Sequence, residues 1–564
     1  MTEPPAPRNG GQVLIDALRI HGVDTVFCVP GESYLAALDA LAGAGDNIRT
    51  ITCRQEGGAA YMAEAYGKLT GKPGVVMVTR GPGACNASVG VHTGFQDSTP
   101  MLVLIGQVAR DCEYREAFQE IDYHTFYAPL CKWVAQVESA QRLPELVSQA
   151  LHRACSGRPG PVALALPEDM LTDTVRVADA AAYQRVQPGV EPGAIHRMRA
   201  LLTSAKRPLV IAGGGGWSQT ACDDLRRFVE ANNLPTGAAF RNQDRLDNHH
   251  ANYIGPFGVG ASATIGALMG DADLVIAIGA RLGEATTQGY TLLVPPRTRQ
   301  QLVHVHPDPS EPGRVYQADL AVCASVENFL REAAAMSPVD HSVWTKWSAG
   351  ARAAYLEDLE PTQGLPGDLD MAAVMAHLRE CLPANAILTT DAGNFSTWMH
   401  RHYQYVDYPT QLGPTNGSMG YGVPAAIAAR LVRPDSPVVA FVGDGGMLMT
   451  GQEIATAVHY GIDPVILVIN NNMYGTIRMH QERDYPDRVH ATSLSNPNFA
   501  EWARTFGAHG EHVTRTDEFA SAFERASKAG KVAVIELCID PDLISTRTTL
   551  SAVREKAKTS PAAP

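Results

Sequence analysis

Short apolar runs separated by helical patterns recur along the chain, and they constrain its fold more than any other feature. The runs are bounded by Gly or Pro. Continuous apolar strands that alternate with helices are typical of parallel sheets covered on both faces. The sequence therefore predicts an α/β fold of doubly wound parallel sheets. The predicted strands are Thr25–Val29, Val75–Thr79, Met101–Ile105, Val162–Leu166, the run from Pro208, Leu274–Ile278, Leu302–Val305, Ile387–Thr390, Val438–Val442, Val465–Ile469 and Val532–Leu537.

Two stretches without this periodicity divide the runs into three groups. Residues 177–193 contain two prolines, and Pro361–Leu369 is a second proline-marked passage, so both are interpreted as linkers. A chain of 564 residues suggests three or four domains, at about 150 residues per domain. We predict domains at residues 1–180, 194–345 and 365–564, with frayed residues over 556–564.

Two segments of the chain also resemble each other. Gly81–Gly106 and Gly417–Gly443 both contain a glycine turn, a helix of small residues, Asp-Ser before Pro, and an apolar strand that ends in Gly. Any two strand–helix–strand units could look alike in this way. The alternative is that the first and third domains share a fold, which would suit a cofactor held at the carboxyl edges of two similar sheets.

Charge and cysteine usage disfavour several classes of protein. The chain has 46 Lys and Arg against 59 Asp and Glu, a formal charge of -13, and it contains no basic block. No apolar run reaches the roughly 20 residues that span a bilayer, and residues 1–12 lack a signal-peptide pattern. The ten cysteines lie at least 19 positions apart. We therefore expect a cytoplasmic enzyme with reduced thiols that binds neither nucleic acid nor membrane.

Polar turns follow two successive predicted strands in the third group. Gly443-Asp444-Gly445-Gly446 follows one strand, Asn470-Asn471-Asn472 follows the next, and Asn471 lies 27 positions after Asp444. The carboxyl ends of parallel strands meet at one edge, so a carboxylate and an amide oxygen should lie together. Mg²⁺ prefers oxygen ligands, and glycines let backbone N–H groups approach phosphate oxygens. The pair of turns therefore predicts a metal–diphosphate site, whereas a lone Gly-Asp-Gly would indicate an ordinary turn.

This pair of turns resembles the metal–diphosphate motif of thiamine diphosphate-dependent enzymes. Over about residues 10–550 the chain resembles the acetolactate synthase (acetohydroxyacid synthase) catalytic-subunit family. The resemblance implies pyrimidine-binding, central and diphosphate-binding α/β domains, with thiamine diphosphate and Mg²⁺ as cofactors. The other segments that carry it, in the family's order, are Val29–Glu32, Arg54–Ala59, Gly81–Asn86, Ala117–Glu120, Ser156–Pro161 and Gly417–Pro424.

The resemblance gives Glu56 the central catalytic role. By position it matches the glutamate that hydrogen-bonds the cofactor's aminopyrimidine and stabilises the imino tautomer. The exocyclic nitrogen can then remove the thiazolium proton, and the thiazolium serves as an electron sink for a substrate carbonyl. Outside its motif, Glu56 would be interpreted as a glutamate that favours a helix start through the helix dipole.

Further roles are implied by the same resemblance. Gly31 matches a glycine above the thiazolium, and Phe118 and Gln119 match a pair beside the reacting centre. Met419, which would otherwise be interpreted as core, matches the apolar residue that bends the cofactor. The implied magnesium ligands are Asp444, Asn471 and Met473. The remaining implied cofactor contacts are Asn394, Phe395, Gly443, Gly445, Gly446 and Gly475.

Several positions depart from the synthase pattern. His480 replaces a tryptophan that shapes the second-substrate pocket, and Thr476 replaces a methionine. Ala285 replaces an arginine that meets the second substrate's carboxylate, and its loss removes a planar carboxylate clamp. Gln55 replaces a histidine before the catalytic glutamate. His480 and His92 therefore become candidate proton handlers, with a structural histidine as the alternative for each.

In the central domain, a glycine cluster follows the strand from Pro208. Such a cluster also makes an ordinary tight turn. By resemblance, however, FAD would be bound as a structural cofactor, with an ADP-type nucleotide or no ligand as alternatives. The positions that match FAD contacts in the synthases are Gly213, Gly214, Arg158, Arg281 and Asp308.

We expect the enzyme to decarboxylate a 2-keto acid such as pyruvate and to join the acyl carbanion to an acceptor. The alternative is a lyase or decarboxylase that acts on a 2-keto acid or a 2-hydroxyacyl thioester. Phe118 and Gln119 favour carboligation, whereas Ala285 and His480 favour the alternative.

The three residues on which the chemistry depends are all present, which disfavours a non-catalytic regulator that merely kept the fold. These are Glu56, Asp444 and Asn471. The resemblance also implies a homodimer or homotetramer in which Glu56 of one subunit meets Asp444 of another.

Overall fold

The computed structural model describes residues 5–559, which form two compact units that divide between Gln187 and Pro188. The first unit holds one six-stranded sheet and the second holds two. Every pair of neighbouring strands in these three sheets is parallel, and helices connect the strands. The predicted fold class, three α/β domains on parallel sheets, is confirmed.

The first unit is the first domain. Its large sheet has the order β3-β2-β4-β5-β7-β6, and β1 pairs antiparallel with β8. The strands are β1 (Arg8–Asn9), β2 (Thr25–Cys28), β3 (Arg49–Thr52), β4 (Gly74–Val78), β5 (Met101–Gln107), β6 (Trp133–Gln136), β7 (Pro161–Pro167) and β8 (Thr174–Val175). The helices are α1 (Gly10–Ile20), α2 (Leu35–Ala44), α3 (Glu56–Thr70), α4 (Pro82–Asp97), α5 (Tyr123–Tyr127), α6 (Leu143–Cys155) and α7 (Glu168–Thr172).

The central domain begins the second unit. Its strands are β9 (Pro208–Ala212), β10 (Thr236–Ala238), β11 (Tyr253–Pro256), β12 (Leu274–Ile278), β13 (Gln301–His306) and β14 (Leu320–Cys323). Its helices are α8 (Ala194–Ser204), α9 (Gln219–Ala231), α10 (Ala263–Asp271), α11 (Val326–Ala334) and α12 (Thr345–Leu359). Helix α12 packs Ala351 and Tyr355 into this core, so the domain continues beyond residue 345, where the sequence suggested an end.

The third domain completes the second unit. Its strands are β15 (Ile387–Thr390), β16 (Gln411–Leu412), β17 (Val438–Gly443), β18 (Val465–Asn470), β19 (His509–Val513) and β20 (Ala533–Cys538). Its helices are α13 (Met371–Cys381), α14 (Ser396–His402), α15 (Gly422–Val432), α16 (Asp444–Thr450), α17 (Ile454–Tyr460), α18 (Gly475–Asp484), α19 (Phe499–Thr505), α20 (Thr516–Ser527) and α21 (Leu550–Thr559). The prediction that residues 556–564 are frayed is wrong for residues 556–559, which belong to α21. Residues 560–564 lie outside the part of the chain that the structure describes.

Strand order shows how the three sheets are related. The third sheet runs β16-β15-β17-β18-β20-β19, which repeats the order of the first sheet. The central sheet runs β11-β10-β9-β12-β13-β14, the order 3-2-1-4-5-6 of dinucleotide-binding sheets. The first and third domains therefore share a topology, as one interpretation of the internal echo predicted.

The two echoing segments nevertheless occupy different places in that shared topology. Gly81–Gly106 contains α4 and most of β5, which follow the third strand of the first sheet. Gly417–Gly443 contains α15 and β17, and β17 is itself the third strand of its sheet. The inference of a shared fold was right, but the segments that suggested it are not equivalent.

The strands are apolar because helices bury them. All seven residues of β5 and all six of β18 are buried, as expected for the interior of a parallel sheet. All ten cysteines are free thiols. Within residues 5–559, no helix is both long enough and apolar enough to cross a bilayer.

Candidate active site

The register of β17 and β18 brings the two predicted metal-binding turns to one edge of the third sheet. Gly443 at the end of β17 pairs with Ile469 in β18. Asp444 then begins α16, and Asn471 directly follows β18. A carboxylate and a carboxamide therefore leave neighbouring strands at the same end.

One cleft at this edge collects all of the cofactor and metal residues predicted in the third domain. They are Asn394, Phe395, Met419, Gly443, Asp444, Gly445, Gly446, Asn471, Met473 and Gly475. They come from the ends of β15, β17 and β18 and from the turn before α15. The sequence prediction thus identified the residues that gather here, and their individual roles stay predictions.

Asp444 is 4% exposed, and its carboxylate accepts hydrogen bonds from a backbone amide and from a side-chain amide. Gly445 N donates to Oδ1 at 2.9 Å, and Asn496 Nδ2 donates to Oδ2 at 2.8 Å. Burial raises the pKa of Asp444 above its usual value, because an unpaired charge is costly away from water. A cation beside this carboxylate would offset that cost.

Asn496 is a member of the site that the sequence did not indicate. Its Nδ2 also lies 3.0 Å from Asn470 Oδ1, which joins the loop after β18 to Asp444. Its Oδ1 is buried and has no hydrogen-bond partner within residues 5–559. Asn496 belongs to a loop between α18 and α19, and no motif or spacing in that loop distinguishes it.

A buried carboxylate supports the turn that carries Met419. Asp391, at the end of β15, accepts hydrogen bonds from Gly420 N at 3.0 Å and from Gly422 N. Burial raises its pKa to about 6. A Cβ at Gly446 would lie 2.0 Å from Asp391 Oδ2, so glycine is required there for α16 to approach this turn. Asp391 therefore fixes the backbone around Met419.

Thr476, one of the departures from the synthase pattern, connects α18 to the loop after β15. Its Oγ1 accepts a hydrogen bond from Asn394 N at 3.0 Å and lies 3.2 Å from Asn394 Oδ1. His480 lies further along α18 and is not among the described residues that line the cleft. Its Nδ1 is buried without a hydrogen-bond partner in the described chain. The predicted proton-handling role of His480 stays untested.

Part of the cleft lining is apolar, and no sequence motif indicated it. Its side chains come from α14, from α18 and from the segment after β20. These segments contain no polar motif, although β20 ends at the same edge as β18 with which it pairs. The apolar lining residues are Trp398, Ile477, Ile539, Leu543 and Ile544.

In the first domain, Glu56 begins α3 after β3 and faces the start of α4. Asn86 Nδ2 donates to Glu56 Oε2 at 2.9 Å. Gln55 caps the helix, since its side chain accepts a hydrogen bond from Gly58 N at 3.0 Å. The residue that replaces the synthase histidine therefore has a local structural role. His92 lies in the second half of α4, away from the helix start that Glu56 faces.

The predicted pair Phe118 and Gln119 lies on a loop with an unusual backbone. Tyr114, Glu116 and Gln119 have φ angles of 62°, 51° and 66°, a region that non-glycine residues seldom adopt. Tyr114 N and Ala117 N donate to the Glu120 carboxylate at 2.7 and 2.8 Å.

Those backbone hydrogen bonds lower the pKa of Glu120 and hold the loop. Gln119 packs against Gly81, whereas Phe118 is 72% exposed. Gly31, the other predicted residue, packs against Thr79. The first domain therefore places Gly31 and Gln119 at the turn after β4, which leads into the helix start that Glu56 faces.

The predicted FAD residues are divided between the two units. Arg158 lies in the first unit, where it is buried and donates to Ser98 Oγ at 2.9 Å and to Phe95 O. In the central domain, Gly213 and Gly214 follow β9, Arg281 follows β12 and Asp308 follows β13. This edge includes the topological switch point between β9 and β12.

The central turn is closely packed. A Cβ at Gly214, whose φ is 75°, would lie 2.0 Å from Gly279 O, and Trp217 Nε1 donates to Gly213 O at 2.8 Å. Arg281 Nε lies 3.4 Å from the buried Glu311. Internal contacts alone account for the glycines at this turn, and nucleotide binding by the central domain stays a prediction.

Comparison with known proteins matches three models of the thiamine pyrophosphate enzymes. The N-terminal TPP binding domain matches residues 8–126, the central domain residues 195–333, and the C-terminal TPP binding domain residues 391–537.

Curated relatives match over most of the chain. The acetolactate synthase isozyme 2 large subunit of Escherichia coli is 30% identical over 537 residues, which cover 94% of this chain and 96% of that protein. The acetolactate synthase large subunit of Parasynechococcus marenigrum is 33% identical over 531 residues, 90% and 84% of the two chains. That of Lactococcus lactis is 31% identical over 512 residues, 89% and 87% of the two chains.

Proposed function

Because the chain belongs to the thiamine diphosphate-dependent enzymes of the acetolactate synthase family, we propose that it decarboxylates a 2-keto acid such as pyruvate and joins the acyl unit to an acceptor. The observation that carries the proposal is the cleft of the third domain, in which Asp444, Asn471 and the glycine turn converge. Mg²⁺ is proposed as the metal, since the cleft offers oxygen ligands.

The residues present fit a hydrated cation and a diphosphate. Asp444 would supply a carboxylate, Asn471 its side-chain oxygen, and Met473 its main-chain carbonyl. The partnerless Oδ1 of Asn496 is an acceptor suited to a metal-bound water, because Mg²⁺ usually keeps several waters. The glycines from Gly443 to Gly446 would allow main-chain N–H groups to approach the diphosphate.

Glu56 is proposed to hold the transferable proton. Asn86 occupies its Oε2, so Oε1 is the oxygen assigned to share a proton with the cofactor's aminopyrimidine. Thiamine diphosphate, when bound, supplies a thiazolium that stabilises the negative charge left by decarboxylation. Met419 would support the cofactor from the turn that Asp391 fixes.

A lyase or decarboxylase remains the second candidate, because two observations favour it. Ala285 offers no carboxylate clamp, and the cleft lining includes apolar side chains such as Ile477 and Leu543. Incubation with pyruvate, Mg²⁺ and thiamine diphosphate separates the candidates: acetolactate indicates carboligation, and acetaldehyde indicates decarboxylation. Omitting the cofactor provides the control. No consumption of any 2-keto acid or 2-hydroxyacyl thioester by cofactor-loaded protein would contradict both.

We also propose that the central domain binds FAD as a structural cofactor, supported by its strand order and by the turn at Gly213 and Gly214. Arg281 would have to exchange its contact with Glu311 for one with phosphate. Thermal unfolding with FAD, ADP or neither tests this. Stabilisation by FAD supports the proposal, stabilisation by ADP alone indicates a nucleotide site, and no shift contradicts both.

We propose a homodimer or homotetramer with active sites at the subunit interface, as the family resemblance implies. Light scattering with size-exclusion chromatography measures the mass directly. A monomer that turns over substrate would contradict this arrangement.

A further inference from the structure

An imidazole, a carboxylate and a thiol meet at the edge of the third-domain sheet, in residues that the proposed reaction does not use. They belong to His512 on β19 and to Glu536 and Cys538 on β20. His512 pairs with Glu536 in the sheet, and Cys538 lies two positions beyond Glu536, so the two side chains point to the same face. Their ligand atoms all lie within 4.8 Å of one another.

The spacing of these atoms suits a single metal ion. His512 Nδ1 lies 3.0 Å from Glu536 Oε2, and Cys538 Sγ lies 4.0 Å from His512 Nδ1. Zinc bonds are about 2.0–2.3 Å long to nitrogen, oxygen and sulfur, so a central ion needs only small side-chain rotations to reach all three. We propose that His512, Glu536 and Cys538 form a binding site for a thiophilic divalent cation such as Zn²⁺.

The carboxylate of this triad is held in place by its surroundings. Glu536 is 2% exposed; its Oε1 accepts from Asn470 Nδ2 at 2.7 Å and its Oε2 accepts from Phe499 N at 3.0 Å. Hydrogen bonds of this kind orient metal ligands in proteins. The His512 side chain is 43% exposed, which gives an ion access from solvent. The three side chains therefore form a set of metal ligands that is held in place at Glu536 and open to solvent at His512.

The chemistry of the ligands selects the class of ion. Thiolate and imidazole favour Zn²⁺ and similar transition metals, whereas Mg²⁺ and Ca²⁺ prefer oxygen ligands. Binding would form bonds from the ion to sulfur, nitrogen and oxygen and would release the thiol proton to solvent. Three protein ligands leave a fourth position for water. None of the three is a proposed ligand of Mg²⁺, so both ions can be bound together.

Cobalt substitution tests the site in the full-length, untagged protein, with Mg²⁺ and thiamine diphosphate at saturation. One equivalent of Co²⁺ should give a thiolate-to-cobalt charge-transfer absorption, and Zn²⁺ should remove it by competition. Cys538→Ser should abolish the absorption. His512→Gln should weaken Co²⁺ binding by roughly tenfold or more, since an imidazole ligand is lost.

Cys381→Ser is the matched control, because Cys381 is an exposed thiol on the same domain, and it should leave the absorption unchanged. Absence of the absorption in the wild-type protein would overturn the proposal, as would its persistence in Cys538→Ser. Since Cys538 is outside the proposed catalytic machinery, unchanged activity of Cys538→Ser would show that this variant is folded.

Discussion

The sheets of the first and third domains have the same strand order but carry different side chains at their carboxyl edges. After the second strand, the first domain begins α3 with Glu56, whereas the third domain forms the turn that holds Met419. After the third strand, the first domain has the turn at Gly81, whereas the third has Gly443 to Gly446. The same topology thus carries two different sets of side chains at its carboxyl edge, because those side chains belong to the turns and are not determined by the fold.

The two edges also differ in electrostatics. Asp444 is almost fully buried, and burial raises the pKa of its carboxyl group. Glu56 is half-buried and accepts one hydrogen bond from a neutral amide. A buried carboxylate gains from a fixed cation, whereas a half-buried one stays accessible to a ligand from solvent. We therefore expect substitution of the two acids to affect different measurements.

The largest effect is expected from Glu56→Gln. Glutamine keeps the size of the side chain but cannot share an ionisable proton, and a positioned acid–base group contributes about 10²–10⁴-fold. The kcat for 2-keto acid consumption should fall in that range, while thiamine diphosphate affinity, measured by calorimetry, changes little. Glu145→Gln, on the exposed surface of α6, is the control. Near-normal kcat at saturating cofactor would contradict the role of Glu56.

Asp444→Asn should show the opposite pattern. The loss of a charged ligand costs about 1.5–3 kcal/mol, so Mg²⁺-dependent cofactor affinity should fall by roughly 10- to 160-fold. Activity should return in part at high Mg²⁺ and cofactor concentrations. Asp517→Asn, an exposed change on α20, should behave like the wild type. A fall in kcat with unchanged affinity would remove the proposed distinction between the two edges.

The comparison also shows what the sequence could predict. Buried strands such as β5 and β18 were recognised because continuous apolar runs are required in the interior of a parallel sheet. Nine of the described strands were missed, and two of them show why: β3 has one buried residue among four, and β16 has only two residues. Edge strands with few buried positions carry little apolar signal.

The same limit applies to the site. Residues at strand ends, such as Asp444 and Asn394, belong to turns that the sequence displays. Asn496 contacts Asp444, and Ile544 lines the cleft. Both lie on segments whose course depends on tertiary packing, so spacing alone could not place them. The sequence showed Gln55 only as a departure from the synthase pattern. Its role as a helix cap became visible from the hydrogen bond that its side chain accepts from Gly58 N.

Asn496→Ala sharpens the comparison, because Asn496 supports Asp444 from a loop between two helices, whereas Asn86 supports Glu56 from the facing helix α4. The change removes the donor to Asp444 Oδ2 and Asn470 Oδ1. Loss of a hydrogen bond that orients a metal ligand lowers metal affinity by about 10- to 100-fold, and we expect the lower end because Gly445 N still holds Asp444. Titration with Mg²⁺ measures it, with Asn385→Ala as the control. Unchanged Mg²⁺ affinity would contradict the supporting role.

The smallest effect should come from Arg554→Gln, which tests how α18 is held beside the third-domain edge. Arg554 on α21 donates to both oxygens of Glu482 on α18, at 2.8 and 2.7 Å. Those hydrogen bonds lower the pKa of Glu482 from 4.5 to about 2. A carboxyl group whose pKa is lowered by folding stabilises the folded protein at pH values above its pKa in the unfolded chain. That stabilisation is lost as the pH falls through its pKa in the folded protein.

The difference in Tm between wild type and Arg554→Gln should therefore be largest above about pH 4.5 and should shrink towards pH 2. Loss of a charge-assisted pair suggests about 1–3 kcal/mol, a shift of a few degrees. Arg515→Gln, whose partner Asp517 is exposed, should shift Tm less. Equal shifts at neutral pH and near pH 2 would show that α21 holds α18 by packing alone, because an ion pair must lose its effect once Glu482 is protonated.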